Sequence, residues 1–280
     1  MRDIKLSVVI PAYNSAETIE DALNGVLHQT AVQYVYEVIV VNDGSTDDTA
    51  KVVEEWKKNA EEQFTLVLTG FKKNRGVSAA RNRGIEISRG DHIAFLDADD
   101  EWKPEKLKIQ LGILRRYPGI KALGTGWDQL NLKPGKKVNN SSGYELYGMK
   151  VKDELVYLWP PVPSLIVKRN ELLKSGMFDE SMRYAEDSDF ICRLAERAKI
   201  YYIPDKLLSA GHGKNPFGEK GLSGNTARMH KGFKKNIYGC LNRGSINILE
   251  YAAFLLLEDL KYLRRILIAN RIKEEKTKDE

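Results

Sequence analysis

The chain has 280 residues, 42% of them hydrophobic and 30% charged, and carries a formal net charge of +5 at pH 7. That composition is globular rather than disordered and is large enough for one α/β core, alone or with a smaller appendage. The positive excess lies in residues 228–280, with 12 basic against 7 acidic side chains, while residues 1–227 carry 32 of each. An excess that small, without a long basic stripe interleaved with aromatics, argues against a nucleic-acid partner.

Two cysteines, Cys192 and Cys240, lack metal-ligand spacing, and the N-terminus runs into LSVVI without a basic leader and cleavage site. These features predict a cytoplasmic protein. The apolar run YAAFLLL (251–257) falls far short of the roughly 18 residues that cross a bilayer.

In chain order, LSVVI (6–10) reads as a strand. Ile19, Ala22, Leu23, Val26 and Leu27 then repeat with helical spacing. The alternation continues with YEVIVV (36–41) and a helix opened by Thr46, with Asp47 and Asp48 in its first turn. FTLVL (64–68) is followed by a helix over 77–88, and HIAFL (92–96) by a helix from Pro104. Four β–α units with continuously apolar strands predict a parallel, doubly wound sheet covered on both faces. Beyond residue 120 the alternation stops. Residues 121–143 carry turn chemistry that predicts hairpins or a loop. A strand is expected over 163–169, a short helix over 170–176 closed by Gly176, a helix with an acidic first turn over 186–197, and a strand over 198–204. Residues 211–225 read as a mobile loop and the remainder as helical.

Open parallel sheets bind ligands beyond the carboxyl ends of their strands. Here those ends read PAYN (11–14), NDGS (42–45), TGFKKNRG (69–76) and DADD (97–100), so polar groups gather on one rim. Asp97 and Asp99 share a strand face with Ala98 between them. Such carboxylates suit a hard divalent cation, Mn²⁺ or Mg²⁺, and they equally suit a solvated turn before the next helix. Tyr13 can stack on a nucleobase or pack at an edge. Asp43 can accept from a base or ribose or belong to an ordinary turn. Lys73, Arg75 and Arg81 can meet phosphate oxygens or face solvent.

SVVIPAYNSAETIEDALNGVLHQT, VIVVNDGSTDDT, NRGVSAARNRGIEISRGDHIAFLDADD and GMFDE…AEDSDFICRL resemble, in order and spacing, the family 2 glycosyltransferases of GT-A fold. The resemblance covers roughly residues 5–205. It implies a Rossmann-like, mostly parallel sheet flanked by helices, with a helical C-terminal extension. It further implies inverting transfer of a sugar from a nucleotide-diphosphate sugar, most often a UDP-sugar, with Mn²⁺ or Mg²⁺. The expected organisation is a catalytic domain over 1–215, split into a nucleotide-sugar-binding half (1–118) and an acceptor-binding half (119–215), then the extension over 216–280. By the family pattern Pro11, Ala12, Tyr13, Asn14, Asp43, Gly76, Arg81, Asp97 and Ala98 surround the donor nucleotide. Asp99 and His212 are the expected metal ligands, and Asp187 is the expected catalytic base. In DADDE, Asp100 and Glu101 are expected to lead into the helix at Pro104.

Glu186, Trp102 and Trp159 are candidates on the acceptor side. Trp102 has the alternative of a core aromatic, and LWPPVPS (158–164) that of a plain connector. Expected partners are the nucleotide-sugar donor and a glycan or lipid-linked acceptor, the latter pointing to bacterial surface polysaccharide. Residues 245–269 are apolar around most of a helix, with Lys261, Arg264 and Arg265 in the later turns. Three fates are open for that helix: peripheral contact with the cytoplasmic face of the inner membrane, packing on the catalytic domain, or pairing of two subunits. A sugar-phosphate nucleotidyltransferase would need a Gly-rich, basic loop where PAYN stands, and no G-x-G-x-x-G marks a dehydrogenase. A binding protein without transfer activity would lack the paired aspartates or the base, and both are present.

Overall fold

The computed structural model describes residues 4–59, 63–128, 133, 135–158, 160–211 and 224–276. Four parallel strands form one side of a ten-stranded sheet: β1 (Leu6–Ala12), β2 (Val35–Asp43), β3 (Thr65–Phe71) and β4 (His92–Phe95), in the order β3-β2-β1-β4. Helices α1 (Ile19–Leu27), α2 (Thr49–Asn59) and α3 (Val77–Ile87) connect them. All seven residues of β1 are buried, because helices cover both faces. Successive side chains divide between those faces. Val8, Ile10, Val38 and Val40 pack with α1, α2 and α4 (Lys106–Arg116), whereas Val9, Ile93 and Phe95 pack with Ile85 of α3 and with later helices.

The sheet continues with β9 (Ile166–Lys168), β6 (Ala122–Trp127), β10 (Ile200–Ser209), β8 (Leu146–Met149) and β7 (Lys136–Val138), while β5 (Glu101–Trp102) pairs with β10. β6 and β10 are parallel, but β9 runs antiparallel to both neighbours, β4 and β6. The loop or hairpins expected after residue 120 are therefore only partly present. Residues 122–127 form an interior strand, and the hairpin follows it as β7 and β8. Two further expectations shift. The second helix starts at Thr49 rather than Thr46, because the Asp47 carboxylate accepts from the Thr49 amide. The fourth starts at Lys106, after β5 has taken Glu101 and Trp102.

The remaining helices are α5 (Val151–Tyr157), α6 (Arg169–Ser175), α7 (Glu186–Arg197), α8 (Thr226–Asn242) and α9 (Ile248–Lys276). Gly176 closes α6 in the left-handed region, as the sequence implies. α7 presses Phe190 against Phe95 and Phe178, so its N-terminus reaches the carboxyl end of the sheet. Cys192 of α7 meets Val151 and Leu155 of α5 and Ile237 and Cys240 of α8 in one apolar cluster, joined by Tyr251, Phe254 and Leu255 of α9. Among the described residues no helix is long and apolar enough to cross a membrane.

Candidate active site

An open cleft of about 1640 Å³ lies over the carboxyl ends of β1, β2 and β4 and the N-terminus of α7. Its floor begins at the loop after β1, which is latched to the loop after β2. The Asn14 amide donates to Ser45 Oγ (3.0 Å), the Thr46 amide to Asn14 Oδ1 (2.9 Å) and the Ala16 amide to Asp47 Oδ2 (3.0 Å). Asn14 holds this latch from a left-handed conformation, φ 49°. Its side chain therefore shapes the wall of the cleft. Pro11, Ala12 and Tyr13 line the same wall, and Tyr13 is 47% exposed.

Asp43 ends β2 and is buried. Its two oxygens accept the amides of Arg75 (2.7 Å) and Gly76 (2.8 Å), which folds the β3–α3 loop onto the cleft. Burial raises the Asp43 carboxyl above its ordinary range, and the two amides pull it back. Gly76 caps α3 at φ 97°, a conformation that disfavours any side chain although open space surrounds it. Arg75 turns away to Glu180 (3.0 Å) and stacks over Phe71.

The centre of the site is Arg81. Its guanidinium, 2% exposed, donates from Nη2 to both oxygens of Asp97 (2.8 and 3.1 Å) and from Nη1 to Asp187 Oδ1. Phe178 lies under it, 5.1 Å from ring centroid to guanidinium carbon. Burial opposes the charge, but the carboxylates of Asp187, Asp97 and Glu186 outweigh burial and keep Arg81 protonated. The family pattern implies Arg81 beside the nucleotide. It lines the cleft, but its charge is committed to carboxylates. Asp187 stands at the first turn of α7 with 43% of its side chain exposed to the cleft. Removal from water raises its carboxyl, and Asp97 adds to this, against the pull of Arg81. Neighbouring Glu186 is 8% exposed. Burial, reinforced by Asp187, pushes it up to about 7.

Asp99 is exposed at the cleft and Ala98 is buried beside it. Asp100 does not lead into a helix. It is buried, accepts the Gly211 amide at 2.9 Å, and is raised by burial and by the charges of Asp97 and Asp99. The physical reason is β5: once Glu101 and Trp102 pair with β10, the preceding Asp100 is carried inward against the end of that strand. His212 follows Gly211 and lies outside the described residues. Within the described residues no group of three or more potential ligands surrounds one point. The donor set nevertheless fits a hard cation held partly by substrate. It consists of oxygen only, and three crowded carboxylates gain from a positive charge. Asp99, the ligand expected from the sequence, is the member of that set exposed to the cleft.

Trp102, expected as a candidate for the acceptor side, is instead a core residue. It is 1% exposed, its indole donates to the Pro163 carbonyl (3.0 Å), and Lys106 Nζ lies 3.9 Å over the ring. Pairing of β5 with β10 turns the ring inward. Trp159 lies outside the described residues. The opposite wall is instead made by Trp127, Glu154, Tyr157 and Pro160–Val162, with Met229 and Phe233 of α8. The sequence reading singled out none of these except the proline-rich connector. Nor did it find Asn236, 1% exposed on α8, which donates to the Ala185 carbonyl at 2.8 Å. Ala185 precedes Glu186 in a left-handed conformation, φ 57°, so α8 holds a strained turn two residues before the candidate base.

Residues 7–157 match the family model described as Glycosyl transferase family 2, and the chain belongs to that family. An uncharacterized glycosyltransferase of Rickettsia felis is 32% identical over 210 residues, 75% of this chain and 33% of that protein. The amylovoran biosynthesis glycosyltransferase AmsB of Erwinia amylovora is 41% identical over 121 residues, 42% of this chain and 38% of AmsB. The chain spans about a third of the length of this and similar curated relatives that it matches. Among solved structures, S. aureus TarS in complex with UDP-GlcNAc superposes with a TM-score of 0.69 at 21% identity, covering 94% of this chain and 72% of that one. The Pyrobaculum calidifontis mannosyltransferase PcManGT, in complex with GDP-Man and Mn²⁺, superposes with a TM-score of 0.66 at 20% identity, covering 96% and 74%. These likenesses establish the GT-A type of fold expected from the sequence.

Proposed function

We propose that the protein is an inverting, metal-dependent glycosyltransferase that moves a sugar from a UDP-sugar to a hydroxyl of a glycan or lipid-linked acceptor, in the synthesis of bacterial surface polysaccharide. The observation that carries this reading is the single guanidinium of Arg81 shared by Asp97 and Asp187. It brings a carboxylate from the donor rim and a carboxylate from a distant helix to one point. A direct displacement needs that juxtaposition, with the leaving group at one end and a proton acceptor at the other. Family membership, the amylovoran-biosynthesis relative and the nucleotide-sugar complexes among the neighbours support it.

Residues 1–118 supply the donor wall. Tyr13 offers its ring to the base, and Asp43 with Gly76 shapes the loop beside the ribose. Residues 119–215 supply Asp187 and the wall of Trp127, Tyr157 and Pro160, where the acceptor lies. Residues 216–280 brace that second half through α8. Asp187 accepts the proton of the acceptor hydroxyl as the oxygen attacks the anomeric carbon opposite the diphosphate, a contribution of about 10²–10⁴-fold. Asp97 and Glu186 surround Arg81 with enough negative charge that its proton stays in place and Asp187 remains the acceptor. A Mn²⁺ or Mg²⁺ ion held by Asp99, with His212 as a candidate second ligand, would offset the charge that develops on the departing diphosphate. No protein nucleophile is needed. The reading places the enzyme in the cytoplasm.

The test is a thermal-shift panel of nucleotide sugars with and without Mn²⁺, followed by transfer assays with Asp187→Asn. One UDP-sugar stabilises the protein only with metal, and the variant still binds it while transfer falls roughly a hundredfold or more. No response to any donor would end the reading, and near-normal turnover would remove Asp187 from its role.

A further inference from the structure

A nucleotide-diphosphate sugar carries its negative charge into a cleft that is itself acidic. Among the described residues nine carboxyl side chains line that cleft, against two cations, Arg81 and Arg183. Carboxylates at that density repel an anion, so the cations that face it decide where a diphosphate settles. Arg81 is buried, and its charge is held between Asp97 and Asp187. The other cations that the sequence offered to phosphate oxygens stand elsewhere. Neither Lys73 nor Arg75 lines the cleft, and Arg75 is paired with Glu180.

Arg183 differs from them in each respect. It is exposed and lines the cleft. It forms no ion pair with a described residue, and its hydrogen bond runs from Nη2 to the neutral Asn74 Oδ1 at 2.7 Å. Asn74 belongs to the β3–α3 loop, which Asp43 folds onto the cleft through the amides of Arg75 and Gly76. The charge of Arg183 also helps to lower the Asp43 carboxyl. The guanidinium therefore stands beside the donor wall, although its backbone comes from the other half of the chain. Asn74 engages one N–H of a group that carries five.

The segment that carries Arg183 is fixed on both sides. Ahead of it, Phe178 exchanges two hydrogen bonds with Asn82, each 2.9 Å, and Glu180 accepts from Asn82 and Arg75. Behind it, Tyr184 Oη accepts from Arg228 Nη1 at 3.2 Å and the Ala185 carbonyl accepts from Asn236. Between these anchors Met182 is buried and Arg183 is presented to the cleft, four positions before Asp187.

We infer that Arg183 is a diphosphate-binding residue, whose guanidinium takes phosphate oxygens of the nucleotide-sugar donor while Asn74 holds the fork in place. The inference rests on the donor class proposed above. A planar, permanently charged fork matches phosphate oxygens better than an ammonium does. It offsets the surrounding carboxylates when the donor binds, and its attraction grows as charge develops on the departing diphosphate.

The test is isothermal titration calorimetry on the full chain in the presence of Mn²⁺, with UDP, GDP and their parent nucleosides. Arg183→Gln is expected to weaken nucleoside diphosphate binding roughly ten- to hundredfold, as loss of a hydrogen bond to a charged group does, with nucleoside binding and melting temperature unchanged. Arg183→Lys should regain part of the loss, since it keeps the charge without the fork. Asn74→Ala, which removes only the tie, should cost less than Arg183→Gln. Nucleoside and diphosphate binding that fall together, or an Asn74→Ala loss equal to that of Arg183→Gln, would make Arg183 a strap between loop and α7 and overturn the inference. So would unaltered diphosphate binding accompanied by a raised KM for a phosphate-bearing acceptor. Equal diphosphate binding in wild type and Arg183→Gln overturns the inference and leaves the donor class standing, whereas a wild type that binds no nucleoside diphosphate ends both.

Discussion

Asp97 and Asp187 share one guanidinium. Arg81 bonds both oxygens of the first and one oxygen of the second, which follow it by 16 and 106 residues in the chain. This bridge makes the site a joint construction of α3, the end of β4 and α7. Arg81→Ala would leave two carboxylates facing each other around a void. We expect a loss of about 3–5 kcal/mol, as when one partner of a buried ion pair is removed, measured by chemical denaturation. Arg81→Lys keeps the charge but cannot form the fork. It should retain most of the stability and lose roughly a hundredfold in kcat, with a small change in donor binding. Equal activity of the lysine variant would show that the fork does not position Asp187.

Glu186 supplies a pH signature. Its carboxyl stands at about 7 in the folded chain against an ordinary 4.5. The folded state thus holds a proton that the unfolded chain releases. The contribution to stability is full below about 4.5 and is lost as pH rises to about 7. Glu186→Gln cannot lose it. The melting temperatures of variant and wild type should coincide near the acid end of that window, and the variant should melt higher above it. A difference that does not change with pH would contradict the raised carboxyl.

Catalysis responds to pH in the opposite sense. As the proposed base, Asp187 would have to be ionised to accept a proton, and its carboxyl is raised above 3.8. The rate should therefore fall on acidification at a pH above the usual aspartate range. Single-turnover rates across the acid side, under saturating donor, would locate that limb. A rate that stays flat down to the ordinary value would exclude Asp187 as the titrating base.

Asn236 offers a test of bracing from a residue that does not line the cleft. Its amide holds the Ala185 carbonyl at 2.8 Å, and Ala185 sits in a left-handed turn. Asn236→Ala should destabilise the chain by about 1–2 kcal/mol and lower kcat more than it raises KM for the donor. Ala185→Gly, which relieves the backbone cost, should recover part of the stability in the double variant. A donor KM that rises while kcat holds would place Asn236 in donor binding instead.

Chelation is the remaining test. Transfer should drop roughly a hundredfold or more with EDTA and return with Mn²⁺ or Mg²⁺. Asp99→Asn should raise the metal concentration needed for half-maximal rate while leaving the melting temperature nearly unchanged, since Asp99 is exposed. An unaltered metal dependence in that variant would assign the ion to other ligands.

The first four β–α units were legible because their signals are local. Apolar strands alternate with amphipathic helices, and PAYN, NDGS and DADD stand where strands of a parallel sheet end. What the sequence concealed depends on distant partners. Nothing in SAARNRG says that Arg81 turns to Asp187 rather than outward. Asp100 and Glu101 read as a helix entrance because their real partners, Gly211 and Ser209, lie more than a hundred residues away. Residues 122–127 read as a turn because of Gly124 and Gly126. Those glycines instead admit Pro160 and the Pro204 carbonyl against an interior strand, where an added Cβ would stand 2.6 and 2.4 Å from them. α9 was visible as an apolar helix, but which of its faces the chain already covers could not be read without α8.

The antiparallel course of β9 has one more consequence. A strand that runs backward brings its beginning to the ligand rim, so the segment that enters there is Pro160, Pro161, Val162 and Pro163 rather than a glycine-rich turn. Pyrrolidine rings fix φ and remove amide donors. That stretch of the rim therefore has little shape left to lose when a second substrate arrives, and few polar groups with which to bind it. Whatever is selected against this wall is selected by its outline, while the opposite bank, made of latched loops and carboxylates, selects by charge and hydrogen bonding.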